Sequence, residues 1–107
     1  MLEKSDPTLH VYSQPDNYME AWVVGNRAGL ESLRAAIDKA LSSHKLEGAP
    51  VFAADGEGYT LLVLPVSDPK ALEDLKLPYY EFGPSSGGTH PYHLVTKDDY
   101  VTAVSKV

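Results

Sequence analysis

The chain predicts an α+β fold: a small, mostly antiparallel sheet with one long and two short helices packed mainly on one face. Three observations predict it. Strand-like apolar segments recur at 18–25, 51–54 and 59–66. A stretch ending near Ser43 carries apolar residues at three- and four-residue spacing, the period of one helix face. Asp55-Gly56 lies between two apolar runs, a hairpin signal that sets consecutive strands antiparallel. The order strand, helix, hairpin, short helix, strand, helix puts helices beside such a sheet. A parallel β-α-β start is the alternative, because the segment from Trp22 to Val51 is long enough for a helical crossover.

Each element has a local reason. Leu9-His10-Val11-Tyr12 alternates weakly and reads as a short edge strand, followed by turn chemistry at Ser13-Gln14-Pro15-Asp16-Asn17. The strand at 18–25 stops at Gly25-Asn26, and Asn26 suits the N-cap of the long helix because its side-chain oxygen accepts an orphan N–H. Leu30, Leu33, Ile37, Ala40 and Leu41 are expected to form the buried helix face. Arg27 with Glu31 and Arg34 with Asp38 are opposite-charge pairs four apart, each contributing about 0.2–0.5 kcal/mol. Ser42-Ser43-His44 ends the helix. The run Tyr59 to Val66 is apolar almost throughout and reads as a central strand, with Pro65 near its edge or at a bulge. Ser67-Asp68-Pro69 opens a short helix with Leu72 and Leu75 inward, and Pro78 stops it. Tyr79 to Phe82 and Tyr92 to Val95 read as brief strands around a Gly/Ser loop. Thr96 caps a last helix whose first turn holds Asp98 and Asp99, with Tyr100, Val101 and Val104 facing in.

A chain of 107 residues at 43% hydrophobic content fits one α+β domain over 1–107 with a core of its own. There is no cysteine, which excludes disulfides, a thiol nucleophile and thiolate metal sites. The first residues lack the pattern of a signal peptide, and no run reaches the about 18 apolar residues that span a bilayer. The expectation is a cytoplasmic protein with no membrane partner. Nine basic residues against fifteen acidic give a net charge of -6. That charge repels phosphate backbones, arguing against nucleic acid, and favours either solubility alone or encounter with a basic protein.

Four constellations carry candidate chemistry. A helix N-terminus at Asn26, Arg27 and Gly29 presents free N–H groups, a partial positive charge and a guanidinium, so it is a candidate anion site. Gly29 is costly in a first turn and implies close approach of a ligand or of a neighbouring backbone. The spacing matches no phosphate-loop motif. Tyr79, Tyr80, Phe82 and Tyr92 flank the Gly/Ser loop and are a candidate protein interface, tyrosine bringing contact area with a polar tip. Half-buried strand tyrosines would look the same. His90 and His93 have no third ligand selected by spacing, so no metal site is assigned. Asp55 and Glu57 lack the cleft that paired-carboxylate catalysis needs, and Asp55 is explained as a hairpin residue tolerating positive φ. No cofactor and no catalytic residue are expected.

The stretch Val23-Val24-Gly25-Asn26-Arg27-Ala28-Gly29-Leu30-Glu31-Ser32-Leu33, followed by Asp55-Gly56-Glu57-Gly58-Tyr59, resembles small bacterial proteins. Similar Gly-Asn-x-x-Gly-Leu-x-x-Leu starts occur in immunity proteins of polymorphic toxin systems. The resemblance implies a cytosolic protein that sequesters a toxin rather than an enzyme, and it transfers no functional residue. The two readings taken forward are a non-catalytic interaction module for a basic protein partner and a small-ligand binder holding an anion at Asn26 and Arg27.

Overall fold

The computed structural model describes residues 6–16, 18–78 and 87–105. The elements are β1 (Leu9–Tyr12), β2 (Trp22–Gly25), α1 (Arg27–Ser43), β3 (Glu47–Phe52), β4 (Gly58–Val63), α2 (Pro69–Glu73), a 3₁₀ turn (Pro91–Leu94) and α3 (Lys97–Val104). The sheet is two antiparallel ribbons. In one, β1 pairs β2 with Leu9 opposite Gly25 and Tyr12 opposite Trp22. In the other, β3 pairs β4 with Glu47 opposite Val63 and Phe52 opposite Gly58. Among the described residues one parallel bridge, Thr8 to Phe52, links them, reinforced by the Phe52 N–H donating to the Pro7 carbonyl at 2.8 Å and by two side-chain hydrogen bonds. No β-α-β unit forms among the described residues, because β2 and β3 lie in different ribbons.

The β3–β4 turn places its strain where glycine tolerates it. Gly56, not Asp55, takes the left-handed conformation at φ 91. Asp55 instead accepts the Glu57 N–H through Oδ1 at 3.0 Å, an Asx turn that holds the loop.

Helix α1 begins at Asn26 in extended conformation and ends at His44, whose left-handed φ of 57 lets its N–H donate to the Ala40 carbonyl. Its buried residues are Gly29, Ala36 and Ala40. The expected face of large side chains is thus rotated: Leu30, Ile37 and Leu41 are exposed, and only Ala40 of that set is fully buried, with Leu33 half-buried. Small residues lie against the sheet because the approach is too close for larger ones. A Cβ on Gly29 would fall 2.0 Å from the Thr8 carbonyl oxygen.

The core is small. It consists of Leu9, Ala36, Ala40, Leu46, Ala49, Val51 and Ala103, with Glu47 as the buried polar residue. Glu47 and Gly48 are neighbours on a strand and point to opposite faces. Glu47 accepts from Ser43 of α1 at 3.3 Å, whereas a Cβ on Gly48 would meet the Ala103 carbonyl of α3 at 2.4 Å. Helix α1 is the main cover of one face, and α3 touches the other at this point.

The remaining caps follow the sequence. Asp68 accepts from Lys70 N–H and Pro69 takes the first position of α2. Thr96 accepts from Asp99 N–H at the start of α3. Val101, expected inward, faces solvent, and Ala103 takes the buried place. The strand expected at Tyr92 to Val95 is instead the 3₁₀ turn, nucleated by Pro91 and by His90 Nδ1 accepting the Tyr92 N–H at 3.0 Å. The strand expected at Tyr79 to Phe82 lies outside the described residues.

Candidate functional site

The helix junction is closed by the chain itself. Asn26 Oδ1 accepts both the Gly29 N–H at 2.8 Å and the Thr8 N–H at 3.0 Å, while its Nδ2 donates to the Asp6 carbonyl at 2.7 Å. The Asn26 N–H donates to the Thr8 carbonyl at 3.2 Å. One side chain therefore caps α1 and straps the segment Asp6 to Thr8 across the helix start. The close approach that Gly29 implied is that of a neighbouring backbone, and its amide is engaged by Asn26. Arg27 is not among the residues whose hydrogen bonds close this junction. It is almost fully exposed and pairs with Glu31 at 3.4 Å, a contact of small net worth at such exposure. Arg27, Leu30, Glu31 and Arg34 line one shallow depression of about 420 Å³. Arg34 and Asp38, the second expected pair, do not form an ion pair among the described residues.

Of the aromatic set, Tyr92 is exposed and stacks edge-on against Tyr100 with centroids 5.3 Å apart. With His90, Leu62, Leu64 and Val95 it lines an apolar cavity of about 350 Å³ between β4 and α3. Tyr79, Tyr80 and Phe82 lie outside the described residues. His90 spends Nδ1 on its turn, and among the described residues no group of three or more His, Cys, Asp or Glu is arranged around a common point. No described helix is long and apolar enough to cross a membrane.

Both strands of the β1–β2 ribbon are expected from the sequence, but its exposure is the feature that sequence reasoning missed. Trp22, Val23 and Val24 are 61%, 50% and 52% exposed, so both faces of β2 are open. Val11 and Tyr12, paired with Val23 and Trp22, extend this exposed surface, and Tyr18 and Met19 ahead of β2 are exposed as well. The sequence does carry a signal: four consecutive apolar residues, Ala21 to Val24, with no charge among them, ending just before a helix start. An interior strand has the same composition, so the pattern alone points to core.

One edge of this ribbon is taken. On the β1 side, Tyr59 donates its hydroxyl to the Leu9 carbonyl, and the Ala54 N–H donates to His10 Nε2 at 2.9 Å. Because that nitrogen accepts, Nδ1 carries the ring proton and donates to the Tyr12 hydroxyl at 2.6 Å. Burial pushes the Tyr59 hydroxyl above its ordinary pKa. Among the described residues no strand pairs the outer side of β2. The ionisable groups from residue 6 to residue 26 are Asp6, His10, Tyr12, Asp16, Tyr18 and Glu20, with no Lys or Arg. The site is thus an apolar, aromatic ribbon on an acidic background. No protein-family model, curated protein or solved structure matches this chain.

Proposed function

We propose that this chain is a non-catalytic interaction module of the immunity-protein kind, and that it binds a basic protein partner through the β1–β2 ribbon. One observation carries the reading: Trp22, Val23 and Val24 stand exposed beside Val11 and Tyr12 in a chain whose own core is built largely of alanine. Contiguous exposed apolar surface of this kind marks interaction sites. Trp and Tyr are the residues on which binding energy concentrates when a partner desolvates them. The net charge of -6, and the absence of Lys and Arg between residues 6 and 26, support a basic partner and a fast, salt-sensitive encounter. Tyr92 remains a candidate second contact.

The test is co-expression with basic toxins sought among the neighbouring genes of its host. Protection of growth is the expected result. Trp22→Ala, shown by thermal unfolding to be folded, should weaken the purified complex about 30-fold or more, the equivalent of about 2 kcal/mol. A folded Trp22→Ala variant that binds and protects like the parent overturns this reading.

A second reading, an anion held at the start of α1, has one observation in its favour: Arg27 and Arg34 line the same depression. Thermal-shift measurements with phosphate, nucleotides and acidic metabolites separate the two. A rise in melting temperature that Arg27→Ala abolishes supports the anion site, and no rise with any of them removes it.

A further inference from the structure

We propose that the outer edge of β2 receives an extended segment of the basic partner as an added strand, turning the two-stranded ribbon into three. This rests on the interaction reading above and names how the partner docks. The ribbon can grow on one side only, because Thr8, Leu9 and His10 already engage Phe52, Tyr59 and Ala54 on the other. Exposed edges are ordinarily blunted by Lys, Pro, a bulge or an inward charge. Trp22-Val23-Val24-Gly25 has none of these and is limited only by its four-residue length, and its register with β1 runs without a break over all four pairs. Apolar side chains on both faces of a strand belong to a sheet interior, and an isolated two-stranded ribbon is marginal in water. An added strand would give β2 that interior place, its main-chain hydrogen bonds supplying affinity and its side chains selectivity.

Charge selects the occupant. Asp16 and Glu20 precede β2, and Arg27 beyond it is already paired with Glu31. A second copy would bring another -6 to the contact, a repulsion that a strand carrying Lys or Arg replaces with attraction. The segment that fits is short, extended and alternates apolar with basic residues.

The probe is a short synthetic peptide alternating Val and Lys, titrated into the isotope-labelled chain and followed by amide NMR. Shifts and exchange protection at Trp22 to Gly25 are expected, with affinity falling as salt rises. The same peptide N-methylated at alternate residues should bind at least tenfold more weakly, since it cannot complete the ladder. A Val/Glu peptide should not bind to the parent. Val23→Lys, which leaves the backbone able to pair, should exchange these preferences. Val23→Pro should lose binding, and Val23→Lys keeps the question answerable if the proline variant does not fold. The proposal is overturned if no shifts appear at 22–25, or if sedimentation shows a dimer that Val23→Lys dissociates. It is also overturned if the N-methylated peptide binds equally well; should Trp22→Ala still abolish protection in that case, the interaction reading stands without the edge.

Discussion

The body of the molecule and its β1–β2 ribbon use apolar residues in opposite ways. In the body, Gly29, Ala36 and Ala40 of α1 lie close on the sheet with Ala49 and Val51, and α3 contributes Ala103. In the ribbon, Trp22, Val23, Val24, Val11 and Tyr12 are half or more exposed. Alanine makes up most of the core, with Leu9 of β1, Leu46 and Val51 its larger members, whereas the other large apolar side chains of the ribbon stand outside, against the usual trend of hydrophobic burial. Close backbone approach explains the first half, since tight packing leaves no room for bulk. The second half follows if the large side chains have a cover other than the body, which is the role proposed for the partner.

This contrast can be broken by substitution. The largest effect is expected at Gly29→Ala, whose Cβ meets the Thr8 backbone with no flexible atom to yield. A loss of about 3 kcal/mol in urea unfolding is expected, the upper end of ordinary overpacking. Asn26→Ala should cost about 2 kcal/mol, the loss of a helix cap together with an orphaned Thr8 N–H. Asn26→Asp should recover part of it, keeping the acceptor but not the donor to Asp6.

Tyr59→Phe should cost about 1 kcal/mol by removing the bond to Leu9 that joins the two ribbons. It also has a pH signature. Burial raises the Tyr59 pKa, so the fold favours the neutral phenol over the phenolate. That contribution is fully present below the unfolded value of about 10 and is lost as pH rises through the higher folded value. Alkaline unfolding curves of Tyr59→Phe should therefore lack a decline that the parent shows above about pH 10. The smallest effect is expected in the ribbon: Val23→Thr should change stability by no more than about 0.5 kcal/mol. A loss near that of Gly29→Ala would show that the ribbon belongs to the core and would dissolve the contrast.

Local chemistry is legible in the sequence. Asn26 and Thr96 cap α1 and α3 as their types and positions predict, and of the two expected candidates Ser67 and Asp68 it is Asp68 that caps α2, because a cap is decided by one side chain and the three residues after it. The Asp55-Gly56 hairpin is legible for the same reason, although glycine rather than Asp55 carries the positive φ. The rotation of α1 is not. Leu30, Ile37 and Leu41 and the set Gly29, Ala36 and Ala40 have equally good helical spacing, and periodicity does not say which stripe faces inward. The segment Tyr92 to Val95 resembles a strand in sequence because Tyr and Val favour strands, whereas His90 and Pro91 start a tight turn ahead of them.

At the candidate site, Gly29 stands out in the sequence as a point of close approach, which favours a neighbouring backbone over a ligand without naming the backbone. The Thr8 carbonyl decides between them, from a segment far earlier in the chain. By itself, then, the sequence determined the α+β class, the caps, the hairpin and the acidic surface, all properties of near neighbours or of composition. Only the tertiary structure decided which helix stripe is buried, what lies over Gly29 and that β2 stands open. Each of those depends on where distant backbone segments meet, and a one-dimensional pattern records a residue's affinity for burial without recording what arrives to bury it.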